Sequence, residues 1–356
     1  MIRNSPTART VSRRRRIILP MMLAAVMLAA CAPQPEAAES PTSSPSPSVP
    51  APVSTFTPAP EPAPTTATAP LRGTDMPIED AARPALSVKI DNQVDARPQY
   101  GLDRTDIVFE ELVEGGLTRY VAVWHSDVPE GVGPVRSIRP MDPDIASPLG
   151  GIIAYSGGQA RFVSMMKKTD LHNAIHGGRD DRFMSRTKER RAPHNVILRA
   201  DDIVDHYDDL GAPEAQFLYS PSGWAPLFGR PSDGVDVRFS NASQRGWRWS
   251  EKKQSYQRSQ AGKADTVDGG ARITAKNVVV LEVGIDNRYG SIPKTIMVGK
   301  GQGWVSTGGH VMKVSWSKKD RDSRIVLRNA AGSEVRLAPG NTWIELMPKS
   351  GSISVL

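Results

Sequence analysis

Leu86-Ser87-Val88-Lys89-Ile90-Asp91 is the stretch that decides the fold class. Leu86, Val88 and Ile90 alternate with Ser87, Lys89 and Asp91, and a period of two predicts a half-buried strand. Working outward, Ile107-Val108-Phe109 and Tyr120 to Trp124 read as further strands. Gly151 to Ser156 (GIIAYS) is a short apolar run before Gly157-Gly158, which suits a buried strand feeding a helix over Gln159 to Lys168. A second helix is expected over Asp201 to Leu210, with Asp201 or Asp202 as its cap and Gly211 as its stop. Residues 73–228 therefore read as a mixed α/β domain. Past a Pro- and Gly-rich break near Pro221 to Asp233 the helical signals cease. Strands are expected at Trp247/Trp249, Asn277 to Val283, Thr295 to Val298, Val311 to Trp316, Arg324 to Leu327, Glu334 to Leu337 and Thr342 to Leu346. Turn signals separate them at Asp268-Gly269-Gly270, Gly299 to Gly303, Ala331-Gly332 and Pro339-Gly340. Residues 229–356 read as a smaller, mainly-β domain, and the whole as α+β.

The formal net charge of +7 invites a nucleic-acid reading, which fails on its distribution. Arg3, Arg9 and Arg13 to Arg16 lie in the first 30 residues, which hold no acid. Without these six arginines, 39 of the 45 basic residues face 38 acidic ones. The excess belongs to a targeting signal. Residues 1–16 form its basic region and Ile17 to Ala30 its apolar core, too short to span a bilayer comfortably. The core ends in Leu28-Ala29-Ala30-Cys31, which resembles the bacterial lipobox. That resemblance implies diacylation of Cys31 and anchoring on the extracytoplasmic face of the cell membrane. The adjacent arginines also admit a twin-arginine export route. Cys31 is the only cysteine, which excludes intrachain disulfides and cysteine-built metal sites. Residues 31–72 are expected to form a disordered stalk. Cys31 to Pro70 holds 12 of the 30 prolines, and no Lys or Arg occurs between Ile17 and Leu71. Such composition cannot bury enough apolar area to offset the entropy of ordering, and its Ser/Thr/Pro content suits O-glycosylation.

The chemistry-bearing residues concentrate between Asp91 and Arg139. The ordered segments are Ile90 to Asn92, Ala96 to Leu102, Thr105 to Glu110, Glu114 to Arg119 and Gly133 to Pro140. Together they resemble the YerB-like lipoproteins, the bacterial family of domain of unknown function 3048. Arg190 to Asn195, Met312 to Lys318 and Leu337 to Pro348 extend the likeness over residues 80–350. It implies a two-domain envelope lipoprotein, and the family carries no settled activity to transfer. Where the family has a His-Ala-Gly-Gly-Ser-Pro-like segment, this chain reads Tyr155-Ser156-Gly157-Gly158-Gln159-Ala160, so no role of that histidine carries over.

Read for themselves, Arg136, Ser137 and Arg139 beside the Gly133-Pro134 turn make an anion clamp, since guanidinium forks match phosphate and carboxylate. Arg97 and Arg119 are candidates to extend it. The alternative is internal pairing of these arginines with Glu110, Glu111 and Glu114. Glu110 and Glu114, on one face of an extended strand, are the candidate acid and base of a glycosidase. His172 and His176 stand at i and i+4 but lack the glutamate of a zinc protease helix. Ser137 would need a base, with His125 and His194 as candidates. The tryptophans of the β module suit either a core or a sugar-stacking face. No catalytic constellation is complete, and no cofactor or metal is implied. The reading is a lipid-anchored binding or scaffold module for a wall polymer or membrane-protein partner. The alternative is an envelope hydrolase or transferase acting on a phosphorylated or glycosidic polymer through the Arg/Glu cluster.

Overall fold

The computed structural model describes residues 64–221 and 229–356. The expected signal peptide, Cys31 and most of the stalk lie outside the described residues.

The Leu86–Asp91 strand forms as its alternation predicts, but all six of its residues are buried. It is an interior strand of a 12-stranded sheet, third from one edge, and its polar face meets other buried polar groups instead of water. On one side it pairs antiparallel with Thr118–Trp124, and on the other parallel with Ile152–Tyr155. From there the sheet runs outward to His172–Ile175. In the other direction, Thr118–Trp124 pairs with Ile107–Leu112, which pairs in parallel with Thr342–Pro348. Next come Asn277–Asp286, Gly299–Thr307 and His310–Lys318. The sheet therefore crosses the expected boundary at residue 228, and the described residues belong to one compact unit.

A second, six-stranded sheet built on Gly234–Ser240, Ser243–Ser250, Ser255–Gln260 and Ser352–Val355 covers one face of the large one. Val88, Ile90, Tyr120, Ala122 and Trp343 meet Val235, Val237, Trp247 and Tyr256 there in one apolar core. Phe109, Val121, Met141, Ile145, Phe217 and Trp316 form another core, from the opposite face of the large sheet. Trp247, Trp316 and Trp343 are thus core residues.

Several expectations need correcting. The α-helices among the described residues are only Asp142–Ala146, Ala160–Met166 and Ala200–His206. The domain read as mixed α/β is strand-dominated, and the chain is mostly strand with few helices. The Ala200 helix carries no side-chain cap, and Asp201 turns its carboxylate to the Asp202 N–H instead. The folded body begins inside the expected stalk. Thr66–Thr68 pairs with Asp75–Pro77, and Ala69 and Leu71 are fully buried, apolar enough to hold this end against the body. Gly299 to Gly303 is not a turn but the first part of the nine-residue strand Gly299–Thr307. Its glycines answer to packing. A Cβ on Gly301 would lie 2.5 Å from Trp316 Nε1, and one on Gly303 would lie 2.7 Å from the Val280 carbonyl.

Candidate functional site

Leu86–Asp91 and Ile152–Tyr155 pair only over Leu86 to Val88, then part at their carboxyl ends. The Gly133–Ile138 segment enters the gap. Arg136 N–H donates to the Lys89 carbonyl at 2.7 Å, and Ser156 N–H donates to the Arg136 carbonyl at 2.9 Å. Ile138 N–H donates to Gly157 at 3.2 Å. Backbone pairing on both edges thus fixes Arg136, Ser137 and Arg139 beyond the carboxyl ends of parallel strands, the usual ligand position in open sheets. A Cβ on Gly133 would lie 2.8 Å from the Val196 carbonyl, so glycine lets this segment approach its neighbour.

Three arginines gather here. Arg136 Nε lies 2.9 Å from Asp91 Oδ2, and Arg139 Nε donates to Glu114 Oε2 at 2.8 Å. Arg119, the register partner of Asp91 on the next strand, donates from Nη1 to the Ser137 carbonyl at 2.9 Å. It forms no ion pair among the described residues, although it is only 7% exposed. Burial, then Arg139 and Arg136, pushes the Arg119 guanidinium down to about 10. Burial also pushes the Glu114 carboxyl up, but the Arg139 hydrogen bond and neighbouring charges outweigh it and hold it below the usual range. Three guanidiniums thus stand against the two carboxylates of Asp91 and Glu114. His194 completes the group, its Nδ1–H donating to Asp91 Oδ2 at 2.6 Å.

The other expected members lie elsewhere. Arg97 borders a cleft of about 290 Å³ with Asn92, Thr118, Arg245 and Gln260. Glu110 is fully buried on the opposite face of the sheet, beneath the six-stranded layer. It accepts hydrogen bonds from Arg245 Nε and Thr118 Oγ1, each at 2.6 Å, and from Arg258. Burial pushes its carboxyl up, but Arg245 and Arg258 outweigh it and hold it at about 2. Glu110 and Glu114 do not share a face, because the strand ends at Leu112 and the Glu114–Gly116 turn redirects the chain toward Arg139. The glycosidase pair is therefore absent from this geometry. His172 lies on a strand and pairs with Asp180, while His176 Nδ1 meets Ser156 Oγ at 3.2 Å. Ser137 Oγ donates to the Ser156 carbonyl, and neither His125 nor His194 contacts it.

Two buried networks escaped the sequence reading. Glu345 lies beside Glu110 in register and accepts a hydrogen bond from Trp247 Nε1 at 2.7 Å. Burial, then the Glu110 charge, pushes the Glu345 carboxyl up to about 8. Across the sheet, fully buried Lys89 bridges Glu111 and Asp142. Burial, then Asp142, pushes Glu111 up. The bonded partners named in these two networks lie between 22 and 98 residues apart in the chain, and no local pattern announces them.

Residues 72–213 match the family described as "Protein of unknown function (DUF3048) N-terminal domain". Residues 235–344 match its C-terminal domain. The chain belongs to the DUF3048 family. It is 27% identical over 297 residues to the Bacillus subtilis (strain 168) protein named "Putative lipoprotein YerB", covering 81% of this chain and 88% of that one. The crystal structure of the YerB protein from Bacillus subtilis shares the fold, with a TM-score of 0.71 at 24% identity, over 81% of this chain and 99% of that one. In this DUF3048 chain the two family domains share the large sheet, joined where Thr342–Pro348 lies against Ile107–Leu112. The arginine cluster belongs wholly to the first.

Proposed function

We propose that this chain is an envelope lipoprotein, acylated on Cys31, whose folded body binds the anionic groups of an envelope polymer through Arg119, Arg136 and Arg139. The lipobox-like Leu28 to Cys31 and the name of its Bacillus relative support the anchor. The observation that carries the binding reading is Arg119, a nine-tenths-buried arginine that forms no ion pair among the described residues and stands beside two others. A buried charge is retained at a cost unless something pairs with it, and a bound phosphate or carboxylate would do so.

The test is isothermal titration of the full chain in detergent with a synthetic glycerol-phosphate hexamer, and with a hexagalacturonate as the carboxylate arm. Loss of one charge-assisted hydrogen bond, about 1.5–3 kcal/mol, weakens binding roughly 10- to 100-fold in Arg119→Met. Equal affinity of the variant and the parent protein for the ligand bound, or no binding to either ligand by the parent protein, removes the reading. Incorporation of an alkyne-tagged fatty acid, lost in Cys31→Ser, checks the anchor.

A further inference from the structure

Asp91 and His194 stand 103 residues apart in the chain and meet beside the arginine cluster. Asp91 is fully buried. Its Oδ2 accepts the Nδ1–H of His194 at 2.6 Å and forms an ion pair with Arg136, whose Nε lies 2.9 Å away, and its Oδ1 accepts the Gln93 N–H at 3.2 Å. A carboxylate held on so many sides cannot turn away from the imidazole. With the proton fixed on Nδ1, the lone pair of His194 lies on Nε2. That atom makes no hydrogen bond among the described residues and is not sealed from solvent. An oriented imidazole with a free Nε2, backed by a buried aspartate, is the arrangement of a general base. Arg136 shares the aspartate oxygen that holds His194, so a group held by this guanidinium lies close to the ring.

We infer that His194 is a general base and that the Arg119–Arg136–Arg139 site hydrolyses a phosphodiester. This inference rests on the anion-binding reading and adds a reaction to it. The charge balance selects the substrate class. Asp142, which accepts the Arg139 N–H, is answered by Lys89, so three guanidiniums against Asp91 and Glu114 leave one net positive charge, which matches a phosphodiester monoanion better than a phosphomonoester dianion. In the step, His194 Nε2 takes a proton from water as the water oxygen bonds to phosphorus. The bond from phosphorus to one ester oxygen breaks, and the departing alkoxide receives a proton, returning His194 to its neutral form. The products are an alcohol and a phosphomonoester, and no oxidant or cofactor is consumed. The arginines balance charge on the non-bridging oxygens as the bond to water forms.

The experiment uses the full chain in detergent with EDTA present, and bis(p-nitrophenyl) phosphate as substrate. His194→Asn is the informative variant, because its Nδ2 can still donate to Asp91 while nothing replaces Nε2. Thermal unfolding and titration with dimethyl phosphate are run beside each assay. The expected result is diester hydrolysis by the parent chain, a fall of roughly 100-fold or more in kcat in His194→Asn, and dimethyl phosphate affinity unchanged. His194→Ala, assayed below its unfolding midpoint, should recover turnover with added imidazole, which a merely structural role would not produce. A parent chain that binds dimethyl phosphate through Arg119 but does not hydrolyse the diester overturns the inference and leaves the binding reading standing. Equal rates in the parent and His194→Asn also overturn it. Failure to bind dimethyl phosphate and the glycerol-phosphate hexamer overturns the inference, and failure to bind the hexagalacturonate as well removes the binding reading with it.

Discussion

Replacing Arg119 by Met should stabilise the ligand-free protein. At pH 7 the guanidinium is charged in both folded and unfolded chains, so folding carries a full charge into a site that is 7% exposed. The fall from the ordinary 12.5 to about 10 corresponds to a penalty of about 3 kcal/mol on the folded charged form. The sign follows from linkage. A base whose folded value is depressed loses stability when charged, and regains it only as pH rises through 10 and above. Against this stands the hydrogen bond from Nη1 to the Ser137 carbonyl, worth about 1.5–2 kcal/mol for a charged donor. Methionine keeps most of the apolar stem packing. The net expectation is a gain of about 1 kcal/mol, or roughly 2–4 °C in Tm for a domain of this size. Thermal unfolding in low-salt buffer reads it directly. Adding the glycerol-phosphate hexamer should reverse the ranking, because a ligand stabilises only the state that binds it. A loss of 2 kcal/mol or more in the ligand-free variant would refute the reasoning and make Arg119 a structural brace.

The buried carboxyls give a pH signature. Because Glu345 is raised from 4.5 to about 8 in the folded chain, its contribution is full below 4.5 and is lost as pH climbs through 8. Glu345→Gln, which imitates the protonated form, should match the parent near pH 5 and exceed it at pH 9 in urea melts; parallel curves would contradict this. Glu110→Gln leaves Arg245 and Arg258 without their shared carboxylate charge and should cost about 3–5 kcal/mol by the same melts. A cost below 1 kcal/mol would mean that solvent reaches the network. Gly301→Ala, whose Cβ would press on Trp316 and the Glu282 carbonyl, should cost about 1–3 kcal/mol and shift the tryptophan emission.

Individual strands were legible either from a period of two, as in Leu86–Asp91, or from a short continuous apolar run, as in Asn277–Asp286 and Thr118–Trp124. What alternation cannot convey is which face meets water. Lys89 and Asp91 read as solvent-facing, yet both faces of their strand are covered. Glycine misled at Gly299 to Gly303, since the same residue marks a turn or a close approach of backbone and ring. The Gly133–Pro140 clamp was legible as a cluster of guanidiniums in one short segment, and Arg136, Ser137, Arg139 and Arg119 do come together. Arg97 and Glu110 do not, because a loop and a sheet face separate residues that are near in sequence. The Asp91–His194 contact had no local signal. Proximity of these two depends on where the Val196–Arg199 strand docks against Gly131–Val132, a matter of tertiary packing alone.

The sheet has an assembly order written into it. Thr342 sits beside Ile107 in parallel register, so a chain made from its N-terminus must synthesise a further 235 residues before that neighbour exists. Until then Ile107–Leu112 is an open edge, with Phe109 and Glu110 facing apolar or charged partners not yet present. A chain halted after its first family domain would expose an unpaired, largely apolar edge, a template for aggregation. Loop closure over this span is slow, as long-range parallel pairing always is. An exported precursor built this way would stay incomplete, and so threadable through a narrow translocation channel, until its distant second half had followed it across the membrane.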